Sequence, residues 1–77
     1  MTAREPVFRR VAVIGLGLIG GSLASAMRKY RLAGTVVGFD RKAEDAALGV
    51  ELGVIDEAAE SVEQAVQGSD LIVLAVP

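Results

Sequence analysis

The strongest constraint on this chain is Gly15-Leu16-Gly17-Leu18-Ile19-Gly20, placed directly after Val11-Ala12-Val13-Ile14. The preceding run is short, continuously apolar and rich in β-branched side chains, the pattern of a strand covered on both faces in a parallel sheet. After the glycines the period changes: Ile19, Leu23, Met27 and Tyr30 recur at spacings of four, four and three. That spacing predicts a helix from Leu18 to about Leu32 with a single apolar stripe. Each glycine has its own task in such a turn. Gly15 allows the sharp exit from the strand, Gly17 lets a ligand approach the backbone, and Gly20 permits close helix–strand packing. The N–H groups of the helix start, at Leu18 and Ile19, face outward with the positive end of the helix dipole behind them, an arrangement suited to a pyrophosphate. A glycine-rich turn can also be purely structural, so its context decides.

The rest of the chain supplies that context. Arg28, Lys29 and Arg31 crowd the last turn of the first helix, where cations complement the dipole, and Gly34 stands where a left-handed cap would close it. Thr35 to Phe39 reads as a second strand ending at Asp40. A second helix is expected from about Arg41 to Leu52, with Glu44 and Asp45 in its first turns, Gly49 as a weak point and Gly53 as the stop. Ser61 and Gln64 have capping-box spacing and open a shorter third helix that stops near Gly68. Ser69-Asp70 then turns into the apolar strand Leu71 to Val76, and Val54-Ile55 is a candidate short edge strand. The alternation predicts an α/β chain: a partial Rossmann-type dinucleotide-binding fold, its parallel sheet carrying helices on both faces. Residues 1–10 form an N-terminal arm with Arg9-Arg10 as a solvated collar, and residues 11–77 form the N-terminal portion of the dinucleotide-binding domain.

Asp40 strengthens the reading of the turn. It stands 20 positions after Gly20 at the end of the second strand, where such folds bind the adenosine ribose. A carboxylate there can accept from both ribose hydroxyls and repels a 2′-phosphate by roughly 1 to 4 kcal/mol at about 4 Å, so NAD is expected over NADP. Asp40 is also a plausible N-cap for the second helix. Arg41 is expected on the adenine side, with a solvated helix start as its alternative, and Lys42 is expected on the surface. Ligands of parallel sheets lie outside the carboxyl ends of the strands, which places Ala75, Val76 and Pro77 near the nicotinamide half.

Composition excludes other chemistries for these residues. The chain has no Cys and no His, hence no disulfide, thiolate or imidazole site. No metal ligand set is expected. A net charge of −2 argues against non-specific nucleic-acid binding. The apolar run at the end, Leu71 to Pro77, is far short of the ~20 residues that span a bilayer. The polar start, with Glu5, Pro6 and Arg9-Arg10, does not resemble an export signal, so a cytoplasmic protein is expected.

Gly15 to Ala24, read as Gly-Leu-Gly-Leu-Ile-Gly-Gly-Ser-Leu-Ala, resembles the opening of the prephenate and arogenate dehydrogenases of tyrosine biosynthesis. Val37-Gly38-Phe39-Asp40-Arg41, Leu52-Gly53-Val54-Ile55-Asp56 and Ser69 to Pro77 are similar to the same family in order. The resemblance implies an NAD-dependent oxidoreductase that oxidatively decarboxylates prephenate to 4-hydroxyphenylpyruvate. It also implies a catalytic histidine and a helical domain for substrate and homodimer contacts, neither of which is among these residues. The chain is therefore expected to be a piece of a larger protein, without catalytic residues of its own and without room upstream for a fused mutase domain. Two other readings fit the same turn: a nicotinamide-sensing regulatory module, and another hydroxyacid-type dehydrogenase or reductase.

Overall fold

The computed structural model describes residues 5–76. Strand β1 (Phe8–Ile14) leads through helix α1 (Leu18–Lys29) to β2 (Ala33–Phe39). Helix α2 (Ala43–Glu51), the two-residue strand β3 (Glu57–Ala58), helix α3 (Val62–Val66) and strand β4 (Leu71–Leu74) follow. All pairings are parallel and the sheet order is β3-β2-β1-β4. The continuous apolar run Val11 to Ile14 is central, and its four residues are buried. Alternate residues serve opposite faces. Val11, Val13 and Val36 pack with Ala24, Met27 and Ile55 on the α1 side, while Ala12, Ile14 and Val37 pack with Ala65 of α3 on the other.

The buried face of α1 differs from the expected stripe. Gly20, Ala24 and Met27 face the sheet, whereas Ile19 is 78% exposed, Tyr30 is 65% exposed and Leu23 is only partly covered. The reason is distance. Helix and strand meet so closely at the glycine turn that small residues take the contact positions, and the large ones are rotated to its flank. Met27 alone belongs to both patterns.

The cap of α1 also falls elsewhere. Arg31, at φ 56°, takes the left-handed position. Arg31 N–H donates to the Arg28 carbonyl (3.2 Å) and Leu32 N–H to the Met27 carbonyl (2.9 Å), the paired bonds of a Schellman motif. Gly34 instead lies within β2, where a Cβ would come 2.8 Å from the Arg9 carbonyl oxygen. Helix α2 ends in the same motif with Gly53 in its expected place, at φ +76°. Its bonds run from Gly53 to Val50 (3.1 Å) and from Val54 to Gly49 (2.8 Å).

Ser61 caps α3 as its spacing predicts, its Oγ accepting from Gln64 N–H at 3.0 Å. The reciprocal bond is displaced by one residue: Gln64 Oε1 accepts from Glu60 N–H at 2.6 Å. The edge strand also lies beyond Val54-Ile55. Ile55 is 1% exposed and fills the α1 side of the core, and Asp56 then exchanges two bonds with Val36 before β3 begins. The first strand starts at Phe8, inside the expected arm. Arg10 is half-buried and pairs with Glu57 at 3.6 Å, so only Arg9 of the expected collar is exposed.

Candidate functional site

The turn after β1, the turn after β2 and the end of β4 meet at one edge of the sheet. Strand β1 lies between β2 and β4, and it is at the carboxyl ends of such strands that parallel sheets take their ligands. Gly15, Gly17, Leu18, Ile19, Gly20, Asp40, Arg41 and Val76 all fall at this edge. The expectation for Pro77 lies outside the described residues.

The three glycines are held for different reasons. Gly15 has φ +95°, donates its N–H to the Phe39 carbonyl (2.8 Å), and carries no Cβ because one would lie 2.7 Å from the Ala75 carbonyl oxygen. At Gly20 a Cβ would collide with the Gly15 carbonyl oxygen. These two glycines are demanded by the fold. Gly17 is not: a Cβ there meets nothing within 4 Å, and its φ of −66° with ψ of −166° is open to any residue. The space beside Gly17 is open.

Gly17 is the N-cap of α1 and offers no side-chain cap. The first bond inside the helix runs from Gly21 N–H to the Gly17 carbonyl at 2.8 Å. The N–H groups of Leu18, Ile19 and Gly20 therefore have no partner within the helix and point out of its end. The side chains of Leu18 and Ile19 are both exposed.

Asp40 follows β2 directly and uses both carboxylate oxygens. Oδ2 accepts from Leu16 N–H at 2.8 Å and Oδ1 from Lys42 N–H at 3.0 Å. The Lys42 and Leu16 N–H groups, aided by the charges of Lys42 and Arg41, hold its pKa below the ordinary value against a smaller opposing effect of burial. The group is thus ionised throughout the neutral range. Lys42, not the expected Asp40, occupies the N-cap position of α2; Asp40 Oδ1 accepts the Lys42 N–H ahead of the helix and caps none of its first turn. Arg41 is exposed beside it. Val76, on the far side of the turn, has Cγ1 3.0 Å from where a Gly15 Cβ would stand.

Sequence reasoning left one member out. Leu16, the residue between the first two glycines, anchors the turn through its N–H, which Asp40 accepts, and a partly buried side chain packed against the core. An apolar residue at that place, paired with an acid at the end of the next strand, is the pattern that marks it. Among the described residues no group of acids fit to hold a metal ion is present, and no helix is long and apolar enough to cross a membrane.

The family model for the prephenate dehydrogenase nucleotide-binding domain matches residues 23–77. The chain belongs to that family. Prephenate dehydrogenase of Bacillus subtilis is 37% identical over 67 residues, covering 87% of this chain and 18% of the relative. Cyclohexadienyl dehydrogenase of Zymomonas mobilis is 40% identical over 73 residues, covering 92% of this chain and 24% of the relative. Among solved structures, prephenate dehydrogenase from A. aeolicus, in complex with hydroxyphenyl propionate and NAD+, superposes with a TM-score of 0.81 at 31% identity, over 90% of this chain and 24% of that one. The family match begins beyond the glycine turn, whereas the Zymomonas match is long enough to include it. The chain spans about a fifth to a quarter of the length of these dehydrogenases.

Proposed function

We propose that this chain is the NAD-binding segment of a prephenate dehydrogenase, or of an arogenate or cyclohexadienyl dehydrogenase. The observation that carries the reading is the open space beside Gly17, the one glycine of the motif that the fold itself does not require. The residues fit the cofactor. The N–H groups at Leu18, Ile19 and Gly20 receive the pyrophosphate, Asp40 receives the adenosine ribose hydroxyls, Arg41 lies on the adenine side, and Val76 borders the nicotinamide half. NAD held there would supply the hydride acceptor for oxidation of the ring carbinol of prephenate, with loss of the ring carboxylate as carbon dioxide giving 4-hydroxyphenylpyruvate. The segment's own contribution is orientation: a rigid turn and a fixed carboxylate hold the two ends of the cofactor in register. The complete protein is a cytoplasmic homodimer of tyrosine biosynthesis, its substrate-polarising group and dimer contacts supplied by residues outside this segment.

Asp40 makes the cofactor preference testable. Its charge opposes a 2′-phosphate by roughly 1 to 4 kcal/mol, so NAD binds at least about fivefold more tightly than NADP. Calorimetric titration of the complete protein with each cofactor checks this, and equal affinities would refute it. Turnover of prephenate and arogenate with NAD in the same preparation tests the activity. Binding of NAD with no turnover of either substrate would move the assignment to a sensing module.

A further inference from the structure

The hydrogen bond between Leu16 and Asp40 joins two parts of the site that are 24 residues apart in the chain. Leu16 is held at both ends. Its N–H donates to Asp40 Oδ2 at 2.8 Å. Its partly buried side chain enters a slot under α2 that Gly38 keeps open. A Cβ at Gly38 would lie 2.9 Å from Leu16 Cδ1 and 2.7 Å from Ile55 Cδ1, and one at Gly49 would lie 3.9 Å from the same Leu16 atom. A residue fixed by both backbone and side chain sets the path of its neighbours, here Gly15 and Gly17.

We propose that Asp40 is a positioning residue for the phosphate-binding turn, acting through the Leu16 N–H, in addition to accepting from the ribose. The proposal rests on the reading of this edge as the NAD site. An ionised carboxylate suits the double task because it is acceptor-only: each oxygen takes one backbone N–H, at Leu16 and at Lys42, and keeps capacity for a ribose hydroxyl. An amide in its place offers one accepting oxygen for the two N–H groups. Replacing Asp40 to admit a 2′-phosphate therefore also releases the turn that holds the pyrophosphate, and affinity for both cofactors falls.

The test uses the complete protein and an NAD analogue whose adenosine ribose lacks both hydroxyls. For a residue that only reads the ribose, Asp40→Ala changes nothing in the binding of that analogue. A turn anchor predicts a loss of about tenfold, the scale of one hydrogen bond to a charged group. In the cofactor-free protein, labelled at leucine nitrogen, the Leu16 amide exchanges slowly in the wild type. It exchanges faster in Asp40→Ala, with Asp40→Asn between. Unchanged analogue affinity together with unchanged Leu16 exchange overturns the proposal and leaves the NAD site intact. If the variants do not fold, rapid exchange of Leu16 in the wild type overturns it alone. Failure of the wild type to bind NAD, with Leu16 exchange still governed by Asp40, removes the cofactor reading and keeps the anchor.

Discussion

Replacing Gly17 by valine removes NAD binding and leaves the fold standing. In the cofactor-free chain a Cβ at this position meets no atom within 4 Å, and the backbone angles suit a β-branched residue. The substitution therefore costs the fold little beyond a poorer N-cap, about 1 kcal/mol. It fills the approach to the N–H groups at the helix start. Losing even two charge-assisted bonds there, at about 1.5 kcal/mol each, lowers affinity by roughly a hundredfold. Calorimetric titration with NAD beside a circular dichroism spectrum reads both halves of the expectation. Retained affinity in a folded Gly17→Val protein would count against the turn as the pyrophosphate site.

Gly20→Val gives the opposite result. Its Cβ would run into the Gly15 carbonyl oxygen and come within 3.1 Å of the Ala75 Cβ, both parts of the rigid base of the turn. Either α1 tilts away from the sheet or the turn opens, and both separate Ala24 and Met27 from the core they fill. Overpacking against backbone, which cannot change rotamer, is expected to cost about 3 kcal/mol or more. The measurement is the thermal midpoint of the complete protein: a clear fall for Gly20→Val, and a much smaller one for Gly17→Val. A midpoint unmoved by Gly20→Val would show that the turn can relax in a way its packing does not suggest. The two variants separate glycines that a motif writes with one letter.

What the sequence disclosed followed from how local each feature is. Buried strands announce themselves through β-branched runs, so Val11 to Ile14 and Thr35 to Phe39 were legible, as were the Ser61 cap and the Gly53 stop. The glycine turn and Asp40 were legible because their spacing is fixed by a single strand–helix–strand unit. The buried face of α1 was not. Periodicity points to the largest apolar side chains, whereas the actual contact is set by how near the backbones come, and that favours Gly20 and Ala24. The cap role of Arg31, legible only as one of the last-turn cations, was hidden for a related reason: the left-handed position favours glycine, and Gly34 stands three residues away, but strand pairing has a stronger claim on it. The link from Leu16 to Asp40 leaves a pattern in the sequence, but its packing does not, because Gly38, Gly49 and Ile55 come from three separate segments.

Arg28 divides the molecule in a way the glycine motif does not reveal. From the last turn of α1 it donates to the Gly53 carbonyl and pairs with Asp56 at 3.0 Å, while Asp56 Oδ2 takes the Val36 N–H at 2.7 Å. This clamp ties α1, the end of α2 and β2 together at the helix C-termini, the end opposite the cofactor edge. This clamp thus stands at the opposite end of the same small sheet from the proposed NAD site. Sites far apart and without shared partners act nearly independently, so a substitution in the Arg28 clamp is expected to shift melting without shifting NAD affinity. At the glycine turn only Gly17, and not Gly20, separates the two. The domain can be stabilised at its base while the specificity at its rim is redrawn.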